Sequence, residues 1–302
     1  MRRWRTRVLL TTACIAAVAG ACLVYAYFIE PKRLLLNAQE LQIQGLDPAF
    51  DGLKIVVIGD VHGGSNGVDK AKLRLIVALA NEQQPDLVVL LGDYVSQAGR
   101  ADNSGKRPLK MPIEDVADGL AGLRSTLGVF AVLGNHDGAY SDERVAAALT
   151  SDGYRVLQNE VVVIERNGRP LRLLGFIDHL KLADRWSEIS HDAKPWLSDK
   201  GQGQIIALEH SPDILPAITG EQSVSPDLKL ILAAHTHGGQ VWLPVIGTPI
   251  VPSSYGQKYS YGHIKENDVD MFVTSGVGES ILPIRFMMPP EIAVLTLRAV
   301  PN

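Results

Sequence analysis

The sequence predicts an α/β fold, and three observations carry that expectation. Short apolar runs alternate with stretches of helical periodicity; the runs are five or six residues long, as suits buried strands; and the second half is richer in such runs, which adds an antiparallel component. Ahead of them lies an uncharged segment, residues 8–29, read as an N-terminal transmembrane helix.

That segment comes first in the chain. Arg2, Arg3, Arg5 and Arg7 precede about 22 residues without a charge, and about 20 are enough to cross a bilayer as a helix. The four arginines outnumber Lys32 and Arg33 on the far side, which places the N-terminus in the cytoplasm and the rest of the chain outside it. Residues 1–33 are therefore read as an arginine cluster and anchor, and 34–302 as the functional domain. The alternative is an exported soluble protein: Ala17-Val18-Ala19 offers a small-residue cleavage site, and Arg2-Arg3 hints at a twin-arginine signal.

Residues 54–58 (KIVVI) read as a buried strand entering Gly59-Asp60. In 72–80, Leu73, Ile76, Val77 and Ala80 keep helical spacing, and Pro85 punctuates beyond. Residues 86–91 (DLVVLL) form a second strand entering Gly92-Asp93. The polar stretch 96–110 reads as a loop, and Ile113, Val116, Leu120, Leu123 and Leu127 mark another helix face. Residues 129–133 (VFAVL) enter Gly134-Asn135-His136-Asp137, and a helix over 142–150 stops near Gly153. Later strands are expected at 161–165, 171–176, 204–208, 228–233, 271–274 and 292–297. Residues 178–203, with Trp186 and Trp196, read as irregular, and 248–267 is rich in Pro, Tyr, Ser and Gly.

The apolar runs repeatedly end in a small residue followed by metal-ligand types: Asp60 and His62, Asp93, Asn135 to Asp137, His210, and His235 with His237. In open α/β sheets, ligands gather beyond the carboxyl ends of strands, so one rule brings these segments to one edge. Five of the eight histidines fall there; His179, His191 and His263 lie elsewhere. Alone, each piece has an ordinary explanation as a turn, a helix cap or an exposed pair. Their joint recurrence in register with the strands does not.

The residue types fit hydrolysis of a phosphoric ester. That reaction needs charge neutralised on non-bridging oxygens and a hydroxide at neutral pH, and two ions about 3.5–4 Å apart supply both. The only cysteines, Cys14 and Cys22, lie in the apolar segment, so the ligands are oxygen and nitrogen; manganese, iron, zinc or cobalt would suit, with manganese favoured. The net charge of −4 gives no basic field for nucleic acid, and no nucleic-acid partner is expected.

This order of motifs resembles the calcineurin-like metallophosphoesterase superfamily, over residues 54–297. The resemblance implies a four-layer αββα sandwich with mixed sheets. It implies that Asp60, His62 and His237 bind one ion, that Asn135, His210 and His235 bind the other, and that Asp93 bridges. His136 would act at the phosphate as a general acid or charge stabiliser, with Asp137 orienting it. The chain departs from the pattern at Ala234, where the superfamily has Gly, and Glu209 before His210 could add a contact behind the ligands. Gly92 to Val95, His235 to Gln240 and Pro283 to Glu291 are similar to membrane-anchored bacterial members. Some of those are assigned as UDP-2,3-diacylglucosamine pyrophosphatases and others as phosphodiesterases. The expected activity is cleavage of a phosphodiester or diphosphate, with a lipid-linked substrate in view. The alternatives are a phosphomonoesterase or protein phosphatase, and a non-catalytic metal-binding module. Gly238 and Gly239 are candidates for backbone contacts to a phosphate, Arg285 for contact with substrate charge, and Tyr255, Tyr259 and Tyr261 for pocket or packing aromatics.

Overall fold

The structure is a computed structural model that describes residues 2–101, 105, 107–181 and 189–301. Among these it contains two six-stranded mixed sheets and seven α-helices. The first sheet runs in the order β1 (Leu35–Gln44), β12 (Glu291–Val300), β2 (Lys54–Ile58), β3 (Leu87–Leu91), β4 (Val129–Val132) and β5 (Arg155–Val156). The second runs β10 (Gly262–Glu266), β11 (Val269–Val273), β9 (Leu228–Ala233), β8 (Gln204–Leu208), β7 (Arg169–Gly175) and β6 (Glu160–Arg166). Strands β2 to β5 are mutually parallel, as are β7, β8, β9 and β11; β12 runs antiparallel to β2, β10 to β11, and β6 to β7.

The layers follow from strands that are apolar on both faces. In β2, Ile55 and Val57 point into a core shared with Leu173, Ile206, Leu208 and Leu232 of the second sheet. Val56 and Ile58, one residue out of phase, point the other way. They meet Leu73 and Ile76 of α2 (Lys70–Glu82), Val116 and Leu120 of α3 (Ile113–Leu120), and Val145 and Leu149 of α5 (Asp142–Ser151). The outer face of the second sheet likewise takes Ile189, Ala193 and Leu197 of α6 (Ile189–Ser198) and Leu215 and Ile218 of α7 (Leu215–Ile218). The result is helix, sheet, sheet, helix. Each fully buried Ile, Leu or Val contributes about 1.5–3 kcal/mol relative to exposure, so the three clusters dominate stability.

Several expectations are corrected. The face expected to run on to Leu123 and Leu127 ends at Leu120, because Gly122 turns the chain at φ +91°. Within 178–203, α6 replaces irregular chain; its face of Ile189, Ala193 and Leu197 is masked in sequence by Ser, Asp and an internal Pro195. Trp196 packs partly buried against that core, while Trp186 lies outside the described residues. The Gly-Asn-His-Asp segment, left without an assigned element in the sequence, opens a short helix, α4 (Asn135–Tyr140). Strands β1 and β10 also lie where none was expected: both edge their sheets, and their polar outward residues dilute the apolar pattern. The loop at 96–110 is as expected, pinned by a bridge between Gln97 and Leu109, with residues 102–104 and 106 outside the described set.

Before the sheets comes α1 (Arg2–Phe28), which overlaps a stretch from Arg3 to Lys32 long and apolar enough to cross a membrane. Its end is fixed to the rest of the chain. Ala26 O accepts the Arg285 N–H at 3.0 Å, Tyr25 meets the Phe286 ring edge-on, and the Glu30 carboxylate accepts the N–H groups of Met287 and Met288.

Candidate metal centre

The parallel strands β2, β3 and β4 of one sheet and β8 and β9 of the other deliver their carboxyl ends to one rim. His210 after β8 donates from Nδ1 to Leu91 O of β3 at 2.7 Å, and the His235 N–H donates to Asp60 Oδ1 at 3.0 Å. The sheets come together so closely here that glycine is required. A Cβ on Gly92 (φ +88°) would lie 2.9 Å from His210 Nδ1, and one on Gly59 would lie 2.6 Å from the Ala234 methyl. The Ala234 methyl is thus accommodated by Gly59 across the seam.

A donor group of His62, Asp93 and His136 results, flanked by two clusters, Asp60, His62 and His237, and Asp93, His210 and His235, the atoms of each within 4.8 Å of one another. Asp93 Oδ2 stands between them, 3.2 Å from His210 Nε2 and 3.5 Å from His62 Nε2. Asn135 Oδ1 and His235 Nδ1 also approach His210 Nε2, each at 3.2 Å. A carbonyl can only accept, so Nδ1 of His210 carries a proton; burial would lower this imidazole, but Asp93 and Asp60 hold it well above its ordinary value, so a second proton at Nε2 stands where three acceptor-type atoms converge. A shared cation relieves such convergence.

Three further observations fit the residues to divalent ions. Asp60 Oδ2, both ring nitrogens of His62 and His237 Nδ1 are buried without a hydrogen-bond partner, a costly arrangement for polar atoms that meet no cation. Asp60, His62, Asp93, His235 and His237 all occupy left-handed backbone, with φ between 44° and 68°. Such conformations cost about 1–3 kcal/mol each and concentrate at functional sites. Finally, the charges are unbalanced towards metal. Burial pushes Asp60 up to about 7, offset in part by His210 and reinforced by Asp93. Burial pushes His62 and His235 down to about 3 and His237 well below its ordinary value, so the imidazoles are neutral, in the form that binds metals. Burial would raise Asp93, but the protonated His210 beside it holds it well below the usual carboxylate range.

His136 sits at the rim. Its ring meets that of His62 edge-on, with centroids 4.8 Å apart, and its Nε2 lies 3.2 Å from Ser280 Oγ. The expectation that Asp137 orients it is corrected: Gln97 Oε1 meets His136 Nδ1 at 2.9 Å. The Asp137 carboxylate is instead buried beneath the site, where it accepts the backbone N–H groups of Asp93, Tyr94, Val95 and Gly134 and so holds two strand ends together. Arg285 is corrected too. It is fully buried and donates to the carbonyls of Ser275, Gly276, Gly278 and Met288, so it does not meet a substrate. Gly239 borders the cavity beside the site; Gly238 is buried, with Met288 where a Cβ would be. None of the three tyrosines borders that cavity: the hydroxyls of Tyr259 and Tyr261 bond Glu266 and Glu291.

Sequence reading also missed a neighbouring buried cluster, Asp178, His179 and Glu209. Glu209 accepts from the His179 backbone and lies 2.8 Å from its Nδ1. The available signal was positional, since Asp178-His179 follows β7 as the other pairs follow their strands.

The cavity beside the site has a volume of about 460 Å³. It reaches from Asp93, Asn135, His136, His235 and His237 to a wall built from Val241, Pro249, Ile250, Val251, Ile281 and Leu282.

A four-layer sandwich whose two sheets together build adjoining His/Asp clusters defines a dinuclear divalent-metal centre. The chain belongs to the calcineurin-like phosphoesterase family, whose model matches residues 53–239. It is 29% identical over 285 residues to the uncharacterized metallophosphoesterase YkuE of Bacillus subtilis, covering 94% of this chain and 92% of that one. It is 28% identical over 296 residues to the phosphodiesterase YaeI of Escherichia coli, covering 97% and 98%. A zebrafish (Danio rerio) transmembrane protein with a metallophosphoesterase domain is 28% identical over 265 residues, 86% of this chain and 56% of that protein. The protein is a metal-dependent phosphoric ester hydrolase.

Proposed function

We propose that this hydrolase cleaves a phosphodiester or diphosphate carried by a lipid-linked substrate, of which UDP-2,3-diacylglucosamine is one example, and that residues 1–33 anchor its domain, 34–302, outside the cytoplasm. The observation that carries the catalytic reading is Asp93 Oδ2, placed between His62 and His210. Asp60, His62 and His237 would hold one ion, Asn135, His210 and His235 the other, with Asp93 shared; manganese is the first choice. Two divalent ions, when bound, would neutralise the non-bridging oxygens and supply a hydroxide nucleophile at neutral pH.

The rest falls to the protein's own groups. His136, at the rim and held by Gln97, is placed to donate a proton to the leaving oxygen or to stabilise its charge. Gly239 borders the cavity next to the ligands, but its N–H is donated to Thr236 O at 2.7 Å, so it leaves the phosphate to the ions and to His136. The apolar wall suits a chain attached to the leaving group or to the retained phosphate. The relative named a phosphodiesterase, which covers nearly the whole chain, supports the diester reading.

The test is a panel run with purified full-length protein and Mn²⁺: bis(p-nitrophenyl) phosphate, p-nitrophenyl phosphate and UDP-2,3-diacylglucosamine, with bound metal measured alongside. Diester or diphosphate cleavage should dominate. Faster monoester hydrolysis would favour a phosphatase, and two bound metals without turnover would favour a binding module. Protease protection in oriented vesicles tests the side of the membrane.

A further inference from the structure

We propose that two loops beside the metal centre, 241–252 and 280–287, form an apolar lip that dips into the surface of the bilayer, so that an amphiphilic phosphoester enters the cavity directly from the membrane. This rests on the reading of α1 as a membrane anchor.

The lip is defined by exposure that folding does not explain. Val245 and Ile281 stand wholly or almost wholly in solvent, at 105% and 94% of full exposure, and Ile246, Ile250 and Leu282 are also exposed. Lone exposed apolar residues are ordinary, but a contiguous group of large aliphatic ones marks a surface that something covers. Ile250, Ile281 and Leu282 border the cavity as well, so the exposed surface and the apolar wall are continuous.

The position of α1 identifies what covers it. If residues 8–29 cross the hydrocarbon, Tyr25, Tyr27 and Phe28 fall within about 6 Å of its boundary, at 1.5 Å rise per residue. That is where aromatic side chains collect. The lip is bonded to this same turn. Arg285 N–H donates to Ala26 O, Asn66 Nδ2 donates to both Tyr27 O and Pro283 O, and Phe286 packs on Tyr25. Loop 241–252 joins the same clamp, because Trp242 N–H donates to Phe286 O and Phe286 N–H to Gln240 O. Ile281 and Leu282 are only one or two residues from Pro283. Neither loop can lie far from the membrane plane when α1 spans it. Lys32 and Arg33, exposed just beyond α1, suit anionic headgroups at the same level. The route for a substrate is then short: its chain stays on the apolar side, over the lip, while its phosphate reaches the rim of His235 and His136.

The experiment is depth measurement on the full chain in phosphatidylcholine–phosphatidylglycerol nanodiscs. Spin labels are placed singly at native Cys14 (with Cys22→Ala), and at Val245→Cys, Ile281→Cys and Glu165→Cys in a Cys14→Ala/Cys22→Ala background. Glu165 is exposed and lies one residue before the end of β6, at the far side of the sheet. The Cys14, Val245 and Ile281 labels should be more accessible to oxygen than to a water-soluble nickel chelate, with the order reversed at Glu165. In a Val245→Asp/Ile246→Asp background the Ile281 label should shift to the aqueous pattern. A Cys14 label in the bilayer with both lip labels in water overturns the lip and leaves the anchor standing. A Cys14 label in water overturns both.

Discussion

Asp93 Oδ1 accepts the backbone N–H of His136 at 2.8 Å, while Oδ2 of the same carboxylate faces His210 at 3.2 Å and His62 at 3.5 Å. One side chain thus positions the rim histidine and joins the two donor clusters. In Asp93→Asn the Oδ1 acceptor survives and the shared negative charge does not. Metal content measured by mass spectrometry should fall below two per chain, and activity should fall at least about a hundredfold, the upper end of what outer contacts to a metal site cost. Retention of both metals would remove Asp93 from the bridging position.

His136→Ala should lower kcat by about 10²–10⁴, the usual contribution of a positioned acid or base, with metal content unchanged. Gln97→Leu should produce a smaller drop through the same step, since it removes the partner of His136 Nδ1, a side chain that bonds none of the seven expected ligands. Full activity in His136→Ala would end its assignment to the reaction.

Arg285→Met tests a structural residue that reads in sequence like a substrate contact. It leaves several buried carbonyls without donors, each worth about 1–3 kcal/mol, so a large loss of Tm is expected. At temperatures where the variant remains folded, KM should be near that of the parent. A selective rise in KM would return Arg285 to the substrate.

Lys72 gives a pH signature. Its Nζ donates to Pro31 O and Val277 O, and burial pushes it down to about 7, with Arg285 adding to the effect. A neutral amine keeps two N–H groups, enough for both carbonyls. Between about 7 and its ordinary value of 10.5, the unfolded chain carries a proton that the folded chain lacks. Stability should therefore rise with pH across that window, by up to about 1.4 kcal/mol per pH unit from this group. Lys72→Met should flatten that part of a Tm-against-pH curve. An unchanged slope would show that the lysine stays charged in the fold.

The parts of the fold that were legible in sequence share a physical cause. Strands β2, β3, β4, β8 and β9 are buried on both faces, so each appears as a largely apolar run, broken in β9 by Lys229, with its ligands just after it. Strands β1 and β10 carry one polar face at a sheet edge, and α6 hides a three-residue apolar stripe among Ser, Asp and Pro. The seven residues expected as ligands converge because they follow strands. Gln97, Ser280 and Glu209 come from loops or stand beside a more obvious residue, and their meaning depends on which loop faces which. Arg285 shows the reverse case, in which a charged residue is wholly buried because turn carbonyls surround it.

Gly59 and Ala234 face each other across the seam between the sheets, with room for one methyl. A motif written along the chain assigns the small residue to position 234, yet the constraint belongs to a shared volume that either strand can leave free. Size at the two positions should therefore trade off among related chains. A search template that fixes each position separately would discard members of the family that keep the sum.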